Sequence, residues 1–133
     1  MVGTPYAVNL RALVGPGGMP CGGAPYGRVV ATDLNSGKQL WSVPHGVMAG
    51  RMPGSVGMSG PMVTAGGVVF VAGTEDPWLR AYDSATGKEL WRGALPAQGS
   101  GTPMTYVVNG RQYVVIAAGD DHDDTLVAFA LGK

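Results

Sequence analysis

Apolar residues alternate with polar ones along this chain in short runs, and glycine, proline or Asn-Gly pairs separate the runs. Alternation with period two marks a half-buried strand, because successive side chains leave opposite faces of a pleated sheet. Pro61 to Ala65 and Val68 to Gly73, joined by Gly66-Gly67, predict a hairpin that leads into strands over Trp78 to Asp83 and Glu89 to Gly93. Thr102 to Val108 and Gln112 to Ala118 predict a second hairpin, and the Asn109-Gly110 pair between them supplies the positive φ values of a tight primed turn. Thr125 to Leu131 predicts its third strand. No apolar stretch approaches the roughly 20 residues that a bilayer-spanning helix requires.

The pattern repeats itself. Ala31-Thr32-Asp33-Leu34-Asn35-Ser36-Gly37-Lys38-Gln39-Leu40-Trp41 matches Ala81-Tyr82-Asp83-Ser84-Ala85-Thr86-Gly87-Lys88-Glu89-Leu90-Trp91 at a constant offset of 50, with six identities in eleven positions. Leu126-Val127-Ala128-Phe129 parallels Leu79-Arg80-Ala81-Tyr82 as an incomplete third copy. Each copy reads as a hairpin: the Asp can close an Asx-turn, the Gly can take positive φ, and the Lys begins the return strand. Alternation then sets Leu90 and Trp91 on opposite faces. A Trp buries about 150–250 Å², so Trp41 and Trp91 are expected to wedge against a neighbouring sheet.

Four short strands per repeat, stacked radially, make the blade of a propeller. The expected fold class is therefore all-β, a partial β-propeller of about two and a half four-stranded blades. Residues 1–45 would form a half blade with its lead-in, residues 58–95 a full blade, and residues 100–133 a three-stranded last blade. Stacked repeats bury their faces against neighbours, so open flanks would expose apolar surface and favour association.

Composition narrows the function classes. Glycine (23 residues) and proline (10) punctuate strands here and do not form a low-complexity tract. Nine basic and nine acidic residues give a formal net charge of zero, and the basic ones are scattered, which argues against nucleic acid or an anionic membrane as partner. A single cysteine, Cys21, rules out an intramolecular disulfide or a multi-cysteine metal knuckle. Met1 to Leu13 lacks a basic region followed by an unbroken apolar stretch, so no secretory signal is expected in this chain.

The two Ala-x-Asp-x-x-(Ser/Thr)-Gly-Lys-x-Leu-Trp motifs are joined by Gly60-Pro61-Met62-Val63-Thr64-Ala65-Gly66-Gly67, Thr102-Pro103-Met104-Thr105-Tyr106 and Asn109 to Gly119. Pro20-Cys21 precedes the first motif. This ordered string resembles the C-terminal region of the pyrroloquinoline quinone (PQQ) dependent, or quinoprotein, dehydrogenases, most of all the membrane-bound glucose and polyol dehydrogenases. The resemblance covers nearly the whole chain. It implies a periplasmic, eight-bladed propeller that holds PQQ and calcium near its axis and oxidises a sugar or alcohol, hydride passing to PQQ. It also implies that the catalytic base and the calcium ligands lie on earlier blades, so no catalytic residue is assigned in this chain and its metal ligands stay unknown. PQQ and calcium belong to the complete enzyme on this reading, and this chain alone is not expected to turn over.

Two positions match the family's site. Asp76, in the loop before Leu79-Arg80-Ala81, corresponds to an aspartate beside PQQ and is the cofactor-side candidate; its alternative is a turn-forming aspartate next to Pro77. His122 corresponds to a histidine that approaches the substrate pocket and is the substrate-side candidate. Its loop, Asp120-Asp121-His122-Asp123-Asp124, is shorter and more acidic than the family's, and reads otherwise as a solvated charged turn. Trp78 reads as packing and His45 as a hydrogen-bonded loop residue. Met48, Met52, Met58 and Met62 are too unevenly spaced for a soft-metal site. Gly54-Ser55-Val56-Gly57 lacks the second fixed glycine and the helix of a nucleophile elbow. Two function classes follow: the C-terminal portion of a quinoprotein dehydrogenase, whose partners would be its missing blades and a sugar or alcohol substrate, or a self-assembling, non-catalytic binding or scaffold module whose partners are further copies of itself.

Overall fold

The structure is a computed structural model that describes residues 3, 5–9, 11–120 and 123–131. Its regular structure among those residues is all strand. Strands β1 (Arg28–Thr32) and β2 (Gln39–Pro44) pair as a two-stranded antiparallel sheet, and β3 (Val47–Met48) and β4 (Met52–Pro53) form a small hairpin after it. A four-stranded sheet follows in sequence order: β5 (Met62–Val63), β6 (Val68–Val71), β7 (Trp78–Asp83) and β8 (Glu89–Ala94). A three-stranded sheet ends the chain with β9 (Met104–Val108), β10 (Arg111–Gly119) and β11 (Asp124–Ala130).

The two copies of the motif fold alike down to the register. Ala31 pairs with Trp41 and Ala81 with Trp91, and each ladder shifts at the next residue, between Ala31 and Thr32 in one and Ala81 and Tyr82 in the other. The turns repeat the same bonds: Gly37 N–H donates to Asp33 O and Gly87 N–H to Asp83 O, with φ of 68° and 73° at the two glycines. Each aspartate accepts from residues of its own turn, as the sequence predicts. Ser36 Oγ donates to Asp33 and Thr86 Oγ1 to Asp83, and these hydroxyl bonds lead the causes that hold both carboxyls below their usual range.

Two apolar layers join the three sheets, each face being apolar because alternation sends every second side chain towards it. The first layer packs Val29 and Val43 of the two-stranded sheet against Val69, Val71 and Tyr82. The second packs Met62, Phe70 and Leu79 against Val114, Ile116, Val127 and Phe129 of the three-stranded sheet. Leu79 and Ile116 are the largest side chains fully buried there, and complete burial of each contributes roughly 2 kcal/mol. We call the face that packs on the following sheet the leading face, and its opposite the trailing face.

Trp41 and Trp91 both lie on leading faces, but they differ in cover. Trp41 crosses to the four-stranded sheet, where its indole N–H donates to Ser84 O at 2.9 Å and its ring lies on Gly87. A Cβ built on Gly87 would stand 2.6 Å from Trp41 Cε3, so the approach requires glycine. Trp91 meets Phe129 edge-on at 5.1 Å and stays 40% exposed.

The sequence pattern did not predict the β3–β4 hairpin, which lies in the Gly- and Met-rich connector. Its strands are two residues each and carry no alternating signal; distant side chains hold them, as described below. Met48 is buried while Met58 is 98% exposed, so the connector methionines do not share one environment. Cys21 is exposed and unpaired. No helix among the described residues is long and apolar enough to cross a membrane.

Candidate functional site

In each larger sheet the loop between the second and third strands emerges at the same end: Ala72 to Pro77 between β6 and β7, and Asp120 to Asp123 between β10 and β11. Asp76 and Asp120 thus stand on corresponding connections of neighbouring sheets. The β8–β9 connection reaches the same end, because Gly99 bridges Ala118 and Gly119 N–H donates to Gln98 O.

Asp76 is half-buried, and both of its carboxylate oxygens are engaged. Oδ1 accepts the Val47 N–H at 2.9 Å, and Oδ2 pairs with the Arg80 guanidinium. Burial works to raise the Asp76 pKa, but the Arg80 and Val47 donors outweigh it and keep the carboxyl below its usual range. The neighbouring Glu75 acts in parallel: its Oε2 accepts the Ala49 N–H at 3.0 Å, and its own N–H donates to Ser55 Oγ at 3.1 Å. The β6–β7 loop therefore grips the β3–β4 hairpin through two carboxylates, which satisfies donors that so short a hairpin leaves unpaired. Gly46 makes the approach feasible, since it has φ of 75° and a Cβ there would meet Asp76 Oδ1 at 2.8 Å.

Arg80 sits in the buried middle of β7, between Leu79 and Ala81, and is 3% exposed. Besides Asp76 it faces Glu89, at 3.5 Å from Nε, and its Nη1 is buried without a hydrogen-bond partner. A buried cation is tolerable when paired with carboxylates, and the orphaned nitrogen keeps donor capacity. His45 lies close by, buried as a hydrogen-bonded residue in keeping with the sequence reading. Its Nε2 donates to Ala72 O at 3.2 Å, which leaves Nδ1 to accept from Tyr82 Oη at 3.0 Å. Burial lowers the His45 pKa and the Arg80 charge adds to that, against the pull of the Ala72 carbonyl. Burial likewise pushes the Tyr82 hydroxyl up to about 12.

A cleft of about 450 Å³ opens at this end, lined by Met58, Ser59, Glu75, Gln98, Ser100 and Gly119 among others. It brings the flank of Asp76 and the flank of the acidic loop to one space. A smaller cleft of about 210 Å³ runs between Gly27 to Val30, along the edge of β1 that β2 leaves free, and Val71, Ala72 and His45. His122 and Asp121 lie outside the described residues. Asp123 N–H donates to Asp120 Oδ1 at 3.2 Å, so this part of the acidic loop is a self-closed turn.

The described residues fit the implied groups unequally. No three or more of their His, Cys, Asp or Glu side chains are grouped to hold a metal ion, and calcium takes about 6–8 oxygen ligands, so they do not build a calcium site. For PQQ, an anionic planar quinone, the fit is that of a rim. Gln98 brings an amide to the larger cleft, where the Ser59 and Ser100 hydroxyls already donate to Gly101 O and Ala117 O and keep only acceptor capacity, while the cation nearest Asp76 is Arg80, with its one unpartnered nitrogen. Sequence reasoning missed Glu75, Arg80 and the His45–Tyr82 pair. An arginine inside Trp78–Asp83 was the available signal, because a buried guanidinium must find carboxylates.

Antiparallel sheets stacked face to face, with a turn and register that recur after 50 residues, define a β-propeller. The PQQ family profile, described as "Glucose/ethanol/alcohol dehydrogenase, beta-propeller domain", matches residues 1–114, and the chain belongs to this family. It is 44% identical to a probable quinate dehydrogenase (quinone) of Xanthomonas campestris pv. juglandis, over 97% of this chain and 19% of that protein. It is 41% identical to the quinoprotein glucose dehydrogenase of Escherichia coli, over 97% of this chain and 18% of that one. Among solved structures, the quinohemoprotein alcohol dehydrogenase of Comamonas testosteroni superimposes with a TM-score of 0.56 and 39% identity, over 69% of this chain and 12% of that chain. The chain thus spans about 19% of the length of the curated relatives it matches.

Proposed function

We propose that this chain is the C-terminal portion of a PQQ-dependent sugar or alcohol dehydrogenase of the bacterial periplasm. Residues 1–45, 58–95 and 100–133 act as its half blade, full blade and three-stranded blade, and Trp41 and Trp91 as its inter-blade docking residues. The observation that carries this reading is the family match over residues 1–114 in a chain about one fifth as long as its curated relatives.

In that enzyme Asp76 stands on the cofactor side. Arg80 and the Val47 N–H fix both of its oxygens, so it serves as an immobile negative group, and as a group kept ionised it is not suited to deliver a proton at neutral pH. His122 takes the substrate side by its match to the family's histidine. PQQ, when bound, would supply the two-electron acceptor. The residues of this chain hold and orient.

The test uses the purified chain with PQQ, calcium and an artificial electron-accepting dye. The expected outcome is no dye reduction with glucose, quinate or glycerol; turnover by this chain alone contradicts the reading. In a full-length polypeptide containing these residues, Asp76→Asn should raise the PQQ concentration for half-maximal reconstitution roughly tenfold, while Asp83→Asn on the remote turn leaves it unchanged.

A further inference from the structure

The larger cleft lies between the second and third sheets, and its walls are the connector before each sheet and the β6–β7 and β10–β11 loops. Glycines let these walls approach: a Cβ on Gly99 would stand 2.8 Å from Ala72 Cβ, and one on Gly57 would strike Gly73 O. The polar lining mostly accepts hydrogen bonds. Ser59 and Ser100 Oγ donate to Gly101 O and Ala117 O, at 2.7 and 3.4 Å, which leaves them as acceptors towards anything else. The Ser100 and Gly119 N–H groups are spent on Ala117 O and Gln98 O, and the Glu75 N–H on Ser55 Oγ. Among the described lining residues Gln98 carries the one side-chain donor still free, and Glu75 the one charge. Glu75 Oε2 is fixed by the Ala49 N–H at 3.0 Å, and Oε1 makes no hydrogen bond among the described residues. Nearby cations do not offset that charge in the cleft. Arg51 is exposed and outside the lining, and Arg80 is buried against Asp76 and Glu89.

We propose that this cleft admits neutral polyols and rejects hydroxy acids that carry a carboxylate, and that Glu75 is the residue that sets the preference. The inference rests on the reading of the chain as part of a dehydrogenase, with the cleft on its substrate side between the loop of Asp76 and the acidic loop. A polyol hydroxyl donates, so Glu75, Ser59 and Ser100 complement it. A carboxylate only accepts, and among these side chains it finds the Gln98 amide alone. A cleft of about 450 Å³ is on the order of 10 Å across, similar to the Debye length of about 8–10 Å, so an anion anywhere in it is repelled by Glu75. Asp120, Asp123 and Asp124, next to Gly119, add carboxylates of the same sign. Repulsion of the wrong ligand sets specificity as much as attraction of the right one.

Two measurements test it. The first uses the purified 133-residue chain and two small nitroxides of like size, one bearing an ammonium and one a carboxylate, whose paramagnetic relaxation of amide protons reports the local field. The ammonium probe should relax the Gln98 side-chain amide about twofold more strongly than the carboxylate probe. Glu75→Gln keeps an acceptor for the Ala49 N–H and should lower that ratio, while Asp83→Asn on the remote turn leaves it unchanged. A ratio of one or below, or one that Glu75→Gln does not lower, overturns the proposal. The second uses a full-length polypeptide containing these residues, loaded with PQQ. Glucose and glucuronate form a matched pair that differs by a carboxylate, and glycerol and quinate widen the comparison. For the neutral substrates kcat/KM should exceed that of the anions roughly tenfold, and Glu75→Gln should cut the gap about fivefold through the KM of the anions. Preference for the anions, or a gap that Glu75→Gln leaves intact, overturns this inference alone. Absence of PQQ-dependent oxidation with all four overturns the dehydrogenase reading and this inference with it.

Discussion

Trp41 and Trp91 occupy the same position in two copies of one turn, with the same cross-strand alanine and the same break in register, yet they end in different environments. Trp41 lies on Gly87 and donates to Ser84 O, both supplied by the next sheet. Trp91 meets the edge of Phe129 and stays 40% exposed, and the three-stranded sheet carries no fourth strand and no second turn among the described residues. The motif thus encodes half of an interface. What completes it is the turn of the following unit, so the depth to which each Trp is buried is a property of its neighbour.

The comparison predicts unequal costs for the same substitution. Trp41→Ala should destabilise the chain by about 3 kcal/mol, since it removes a packed ring and its hydrogen bond, and Trp91→Ala by about 1 kcal/mol. Urea midpoints of the two variants provide the check, and equal losses would break the distinction between the two sites.

A smaller contrast is expected from the glycines opposite them. Gly87→Ala meets positive φ and the Trp41 ring together and should cost about 2 kcal/mol, whereas Gly37→Ala has similar φ but open space and should cost about 1 kcal/mol. Thermal melts of the pair sharpen the comparison, because backbone strain is common to both and the ring contact is not.

The smallest effect should come from pH. His45 is held neutral in the folded chain, with a pKa below its ordinary value near 6.5, so the unfolded chain takes up the proton first as pH falls. Its contribution is complete above the unfolded pKa and is lost between about pH 6.5 and the lowered folded pKa, with a limiting slope of about 1.4 kcal/mol per pH unit. Urea midpoints should therefore drop between pH 7 and pH 5, and His45→Gln should flatten that part of the profile. A midpoint that rises as pH falls would reverse the assigned sign.

Most of the second and third sheets was legible in the sequence because their signals are local. Alternation placed β7 at Trp78–Asp83, and the Asn109-Gly110 pair placed the β9–β10 turn, where both residues take positive φ. The β3–β4 hairpin was illegible because its donors are satisfied by Glu75 and Asp76, some thirty residues away, and no local periodicity records such bonds. The site divides in the same way. Asp76 could be singled out through the residues around it, but its grip on Val47 and Arg80 depends on how the sheets stack. The exposure of Trp91 depends on a sheet edge that its own repeat does not specify.

Whether Trp41 is completed by the next unit's turn while Trp91 stays open is read out by indole N–H exchange resolved by heteronuclear NMR. The predicted result is a Trp41 Nε1–H strongly protected from solvent deuterium and a Trp91 Nε1–H that exchanges at nearly the free rate when the chain is dilute. Equal protection of both indoles under those conditions, or faster exchange at Trp41, would contradict it.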